Sequence, residues 1–204
     1  VGLTLIGATL ALTAPFVVLK TPLPYMATPA KKVKRALSSL PAIAKRGTFV
    51  DLGSGDGTTL YQAHCAGFQR AIGYEVNWTL WGISQLRRTL FWGQGARQTV
   101  QIYCRDFFAS SLPNDTSTVM VFGVTPLMKP LSMKLAKETR PGVFILSYRF
   151  VLPIQEIGNE STRDLLKATL VYDYEEMRIY KVVNDEVDKG GVREAMGRVK
   201  ESLG

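Results

Sequence analysis

The sequence predicts an α/β fold: a mostly parallel sheet covered by helices on both faces, with an antiparallel hairpin at its C-terminal end. Three observations carry this. Short apolar runs alternate with helix-like stretches from residue 47 onward; a glycine-rich turn, "VDLGSGDG" at 50–57, closes the first of those runs; and the last two β-rich runs are separated only by "EE". Alternation of this kind indicates parallel strands joined by crossover helices, whereas two residues can close only a hairpin. The chain has 204 residues, 46% of them hydrophobic and 21% charged. That suits one packed domain with an appendage and excludes wholesale disorder.

The first 19 residues, "VGLTLIGATLALTAPFVVL", carry no charge. As a helix rising about 1.5 Å per residue they reach roughly 28 Å, close to the hydrocarbon thickness of a bilayer. Pro15 kinks such a helix without excluding it. Residues 1–19 are read as a membrane-anchor helix, with a signal-peptide core and a buried helix of the domain as alternatives. Residues 1–50 hold seven basic residues (Lys20, Lys31, Lys32, Lys34, Arg35, Lys45, Arg46) and no acid, while the rest holds 18 basic and 17 acidic residues. The net charge of +8 therefore belongs almost wholly to the N-terminal segment. This asymmetry would put the domain on the cytoplasmic or matrix face and draw the segment to anionic lipid.

Residues 20–46 form a basic amphipathic pre-domain segment. Thr28 is expected to cap a helix, with Pro29 at its first position, where a missing N–H costs nothing. Val33, Ala36, Leu37 and Leu40 form an apolar stripe beside Lys31, Lys32, Lys34 and Arg35, and Pro41 ends the helix. The alternative is a solvated charged face with no lipid role.

The domain proper covers residues 47–183. A strand at 48–52 runs into the glycine loop, and a helix at 58–66 ends at Gly67. A second strand follows at 70–76, and Asn77 caps a long helix at 78–92 that "GQG" closes. Strands at 99–106 and 117–124, a helix at 126–138 and a strand at 142–150 complete the alternation. The hairpin pairs 168–174 with 177–183, and 184–204 is a mixed-charge tail. Cys65 and Cys104 lack metal-type spacing and are expected to be reduced core thiols. No metal site is expected. His64 reads as structural, and Trp78, Trp81, Phe91 and Trp92 read as packing.

The loop chemistry discriminates among cofactors. A phosphate-binding P-loop ends in Gly-Lys-Ser/Thr, and Asp56-Gly57-Thr58 offers no lysine. A dinucleotide fingerprint spaces its glycines G-x-G-x-x-G; here Gly53, Gly55 and Gly57 read G-x-G-x-G, with Asp51 before them and Asp56 among them. Each carboxylate beside a pyrophosphate costs on the order of 1 kcal/mol at about 4 Å even in water. S-adenosylmethionine has no phosphate. Its ammonium, sulfonium and ribose hydroxyls all suit carboxylates, and glycines admit the close approach of backbone. Glu75, at the end of the second strand and 18 residues after Gly57, is placed to accept ribose hydroxyls. Asp106 ends the third strand, where an acceptor can meet the adenine amino group, with Phe107 against the ring.

Five strands with helices and then a hairpin is the strand plan of the class I methyltransferase (Rossmann-like) fold. "VDLGSGDG", "GYEVNWTLW", "YCRDFF" and "VFGVTPLM", in this order and spacing, resemble the small mitochondrial lysine methyltransferases that modify the ADP/ATP carrier and the c-ring protein of ATP synthase, with their prokaryotic relatives. The likeness runs from about residue 24 to 153. It includes the uncharged segment and the basic pre-domain helix, where "PYMATPAKKV" stands in the place of a cofactor-covering motif.

The resemblance implies that Asp51, Gly53, Ser54, Gly55 and Gly57 hold the methionine end of the cofactor. Glu75, with Asn77 beside it, would hold the ribose, and Asp106 and Phe107 the adenine. Tyr25, Met26 and Thr28 would close over the cofactor, and Phe122, Gly123, Val124 and Thr125 would face the substrate lysine. "MATP" is an imperfect copy of the usual motif, and the chain after Pro153 matches less clearly. No catalytic residue is singled out, because the leaving group of a sulfonium is already activated and orientation is the protein's main task.

The expected function is therefore that of a membrane-anchored, S-adenosylmethionine-dependent protein-lysine N-methyltransferase. It would modify a membrane protein such as the ADP/ATP carrier or the c-ring protein of ATP synthase, with anionic bilayer lipid and members of a membrane complex as further partners. The expected location is the mitochondrial inner membrane with the domain in the matrix, or the cytoplasmic membrane face in a prokaryote. Two alternatives compete: an idle, methyltransferase-like structural member of a membrane complex, and an RNA methyltransferase. "FGVTP" stands where DNA-base enzymes carry an "NPPY"-type loop, and the excess charge lies off the domain, so no nucleic acid is expected.

Overall fold

A computed structural model of the protein describes residues 28–156 and 158–184. The elements are α1 (Ala30–Ser39), β1 (Thr48–Leu52), α2 (Thr58–Cys65), β2 (Arg70–Glu75), α3 (Trp78–Phe91), α4 (Gln94–Thr99), β3 (Val100–Cys104), β4 (Thr116–Val121), α5 (Thr125–Glu138), β5 (Phe144–Tyr148), β6 (Ala168–Tyr174) and β7 (Met177–Val182). The strands form one sheet in the order β3-β2-β1-β4-β5-β7-β6. The first five are parallel, and β7 runs antiparallel between β5 and β6. The hairpin expected from the "EE" spacer is present, with β7 inserted on its inner side.

Period-two alternation sorts the core into two layers. Phe49 of β1 packs with Val33 and Leu37 of α1 and Leu60 of α2 on one face. Val50 packs with Met128, Leu131 and Leu135 of α5 on the other. Val33, Ala36 and Leu37 are buried, so α1 is held by an apolar stripe. Full burial of each larger side chain contributes about 1.5–3 kcal/mol.

Several expectations need correction. Pro29, not Thr28, stands at the N-cap of α1, and no side chain caps the helix. The Pro29 carbonyl instead accepts from the Lys32 and Val33 amides at 2.9 and 3.2 Å. Cys65 and Cys104 are free as expected but exposed, because Cys65 lies on the outer side of α2 and Cys104 at the open end of the edge strand. "GQG" does not simply terminate α3: after it ends at Phe91, residues 94–99 form the separate turn of α4. The strands expected at 99–106, 117–124 and 142–150 stop at Cys104, Val121 and Tyr148, where the chain leaves the ladder to build loops at one edge of the sheet. Among the described residues no helix is long and apolar enough to cross a membrane. The uncharged stretch 1–19, Tyr25, Met26 and nearly all of the tail lie outside the described residues.

Candidate active site

Because β1 to β5 are parallel, their carboxyl ends share one edge, which is where open α/β sheets receive ligands. The loop after β1 sits there on β2. The Gly53 and Ser54 amides donate to the Tyr74 carbonyl at 2.9 and 3.0 Å, and the Gly57 amide donates to Ser54 O at 2.9 Å. Gly53, Gly55 and Gly57 all have positive φ, at 89°, 54° and 80°. At Gly57, the N-cap of α2, space also matters: an added Cβ would lie 3.2 Å from both Ile102 and Trp92. Gly73 of β2 lets the loop seat, since a Cβ there would meet Ser54 Oγ at 2.6 Å and Leu60 Cδ1 at 2.5 Å. The Ser54 side chain is thus packed beneath the loop against β2, leaving its backbone to face the edge.

Two carboxylates converge under this loop. Asp51 is 4% exposed and Glu75 7%. Glu75 Oε2 accepts from the Gly55 amide at 2.8 Å, and Oε1 accepts from the Asn77 amide at 2.8 Å. Each oxygen keeps a second lone pair, so the carboxylate is fixed without being used up. Burial, then the nearby Glu75 and Asp56, push the Asp51 carboxyl up from 3.8 to about 8. This group is ready to receive a positive charge and penalised for lacking one.

Asp56 has a different role. It forms an ion pair with Arg87 of α3, and its Oδ1 accepts from the Thr58 amide at 3.0 Å. Of the loop's two aspartates, only Asp51 is buried with Glu75.

Asn77 caps α3, its Oδ1 accepting from Thr79 and Leu80 at 3.0 and 3.3 Å, so only its NH₂ is uncommitted to the cap. Asp106 is exposed and caps the short turn Phe107–Ala109, accepting from the Phe108 amide at 2.8 Å. Phe107 is half-buried against the α5-side core, with its ring 4.4 Å from that of Phe108. Thr28 is half-exposed just before α1. His64 pairs with Thr99 through Nδ1 at 2.8 Å, which fits its structural reading.

The segment after β4 forms the neighbouring wall. Phe122 is half-buried, and its ring lies 5.6 Å from Tyr148 and 6.3 Å from Phe150. Gly123 is buried, and a Cβ there would meet Met128 Sδ at 2.5 Å. Val124 is the N-cap of α5 and Thr125 its first residue.

Beside this wall lies a cluster that sequence reasoning missed. Among the described residues, the non-glycine positions with positive φ are Arg149 (68°), Glu175 (47°) and Glu176 (73°), and all three meet at the end of β5 and the β6–β7 turn. Such conformations cost about 1–3 kcal/mol each. The signal was present: a two-residue hairpin turn with φ > 0 at both positions prefers Asn-Gly, and this one is Glu-Glu.

Comparison with known proteins places the chain. A Rattus norvegicus lysine N-methyltransferase that acts on the c-ring protein of ATP synthase is 33% identical over 147 residues, 70% of this chain and 64% of that protein. An adenine nucleotide translocase lysine N-methyltransferase of Mus musculus is 36% identical over 135 residues, 66% of this chain and 56% of that protein. The chain thus spans somewhat under two thirds of the length of these relatives. An RNA methyltransferase from Salinibacter ruber, solved in complex with S-adenosyl-L-homocysteine, superposes with a TM-score of 0.60 at 19% identity, covering 80% of this chain and 97% of that one. At that identity it speaks for the fold alone. The ANTKMT methyltransferase domain matches residues 51–157, from the buried aspartate of the glycine loop past both walls of the site. That match spans more than half of the 204 residues, and the chain belongs to the ANTKMT methyltransferase domain family.

Proposed function

We propose that the protein is an S-adenosylmethionine-dependent protein-lysine N-methyltransferase whose acceptor lysine lies on a membrane protein. The observation that carries this reading is the buried pair Asp51 and Glu75 beneath a loop of left-handed glycines. A phosphate cofactor would meet two carboxylates there, whereas an ammonium and a ribose diol would meet acceptors, so the donor set fits this cofactor.

S-adenosylmethionine, when bound, supplies a methyl group on a sulfonium, a leaving group that needs no further activation. Asp51 and the backbone of Gly53, Gly55 and Gly57 receive its amino-acid end, with Ser54 contributing backbone. Glu75 takes the ribose hydroxyls through its remaining lone pairs, and Asp106 with Phe107 takes the adenine. Tyr25, Met26 and Thr28 cover the cofactor from the pre-domain side. Phe122 to Thr125 face the acceptor. The rings of Phe122, Tyr148 and Phe150 give that side an apolar lining, which lowers the pKa of an entering lysine and favours the neutral amine with its lone pair. The remaining contribution is orientation of the two reactants.

The membrane assignment has two supports. Residues 1–19 are uncharged and are followed by basic residues alone up to residue 50, and the two relatives above are named for acting on the c-ring protein of ATP synthase and on adenine nucleotide translocase. On this reading residues 1–19 anchor the chain in the mitochondrial inner membrane, or in the plasma membrane of a prokaryote, with the domain on the matrix or cytoplasmic side. The test is to incubate the full chain with tritiated S-adenosylmethionine and membranes and to map the label. Label on lysine of a membrane protein supports the reading. Label confined to RNA or soluble protein overturns it, and cofactor binding with no label anywhere points to an idle structural role. Extraction of the full chain by alkaline carbonate would refute the anchor.

A further inference from the structure

We propose that Glu176 is a positioning residue for methyl transfer: its carboxylate clasps the pre-domain helix to the acceptor-side wall. This inference rests on the functional reading above and deepens it. Glu176 Oε2 accepts from the Tyr148 hydroxyl at 3.1 Å and lies 3.4 Å from Lys32 Nζ. Its Oε1 lies 3.4 Å from Arg149 Nε. One carboxylate thus gathers side chains from α1, from the last residue of β5 and from the residue after it.

Each of those partners is held a second time. Lys32 Nζ donates to the Glu175 carbonyl at 2.7 Å and stands 5.3 Å from the centre of the Tyr148 ring. The Arg149 amide donates to the Glu176 carbonyl at 2.7 Å. One turn along α1, the Arg35 guanidinium lies 4.1 Å from the centre of the Tyr174 ring. Tyr148 in turn packs on Phe122, the residue at the end of β4 that faces the acceptor. The clasp therefore joins the first turn of α1, which follows directly on the cofactor-covering segment, to the aromatic wall.

Stability does not account for the cluster. The Lys32 and Glu176 side chains are 25% and 49% exposed, and Arg149 is 39% exposed. Half-exposed ion pairs return little, whereas side chains on left-handed backbone impose strain, and three such residues meet at this spot. A hairpin selected for stability would carry Asn-Gly here. Glu-Glu gives up that stability to place a carboxylate between α1 and β5, and strain concentrated in this way marks functional positions.

Three variants of the full chain separate positioning from support. Glu176→Gln keeps the size of the side chain and an acceptor for Tyr148, and removes the charge that Lys32 and Arg149 share. Glu176→Gly relieves the backbone strain while deleting the group. Glu175→Asn relieves strain at the neighbouring position and leaves the carbonyl used by Lys32 in place. Three measurements apply to each: hydrogen exchange of the amides at 32–36 in the cofactor-free protein, S-adenosylhomocysteine affinity by calorimetry, and methyl transfer. The acceptor probes for transfer are the c-ring protein of ATP synthase and the ADP/ATP carrier, each in phosphatidylcholine–cardiolipin vesicles.

Both Glu176 variants are expected to exchange faster at 32–36 and to bind S-adenosylhomocysteine within about twofold of the unaltered chain, while kcat falls about tenfold or more. Glu176→Gly does so with an unfolding midpoint equal to or above that of the unaltered chain, and Glu175→Asn transfers normally. Unchanged kcat in Glu176→Gln or Glu176→Gly overturns the proposal, as does a loss of cofactor affinity that parallels the loss of transfer. Were the unaltered chain to transfer no methyl to either acceptor, the functional reading would fail on its own, while exchange at 32–36 would still uphold or refute the clasp.

Discussion

Asp51→Asn is expected to strengthen the fold while removing the site. The Asp51 carboxyl is displaced from 3.8 to about 8 by burial and by the charges of Glu75 and Asp56. Its folded-state value is raised, so between those limits the native protein holds a proton that the unfolded chain has released. Stability contributed by this group is then complete at acid pH, falls as pH climbs from about 4 to about 8, and is flat above. At about 1.4 kcal/mol for each pH unit, the accumulated cost near pH 8 is on the order of 5 kcal/mol. Asparagine is close to isosteric, never ionises and escapes that cost. The difference between variant and parent should therefore be near zero at about pH 4 and reach several kcal/mol by about pH 8. Urea unfolding of the full chain across this range reads the difference directly, and calorimetric titration with S-adenosylhomocysteine reads the site. The expected result is a more stable protein that binds the ligand at least about a hundredfold more weakly, the loss of one buried charged contact to an ammonium. A variant that is less stable than its parent near pH 8, or that binds as the parent does, would refute the electrostatic account of the crevice.

Gly73→Ala places a methyl group 2.5 Å from Leu60 Cδ1 and 2.7 Å from Ser54 Cβ. Urea unfolding should show a loss of about 1–3 kcal/mol from overpacking, with weaker S-adenosylhomocysteine binding because Ser54 belongs to the loop. Asn77→Ala removes the side chain that caps α3 through Thr79 and Leu80 and should cost about 1 kcal/mol in the same assay.

The fold was legible where local chemistry decides it. A capping asparagine before a long apolar-periodic stretch, a two-residue spacer between β-rich runs and glycines with positive φ are short-range signals, and Asn77, the β6–β7 turn and Gly53 to Gly57 followed them. Legibility failed where a neighbour distant in sequence decides. Whether Cys65 or Cys104 is covered depends on which side of a helix or strand meets the core, and a lone cysteine does not declare it. The "GQG" after α3 looks like a terminator by composition, yet it opens a further turn, fixed when Ala96 becomes buried and the Arg97 side chain donates to the Trp92 carbonyl at 2.8 Å.

The same limit applied at the site. Asp51 and Glu75 were readable from loop spacing and strand ends. That Asp56 would be claimed by Arg87, 31 residues away, was not. Still less readable was the meeting of Lys32 with Glu176, separated by 144 residues. The one hint was negative, a pair of glutamates where a turn prefers small residues.

The β3 border of the sheet is protected from within the molecule. The Ile102 carbonyl accepts from Trp81 Nε1 at 3.0 Å and from Gln85 Nε2 at 3.1 Å, both on α3. A strand at the border of a sheet ordinarily offers its free acceptors to any other chain that drifts alongside, which is how native domains begin to aggregate. Here two side chains, one helical turn apart, occupy such an acceptor. The indole and the carboxamide thus act as a guard rail that keeps foreign strands from docking, a protection of particular value to a protein that works, as proposed, against a crowded membrane surface.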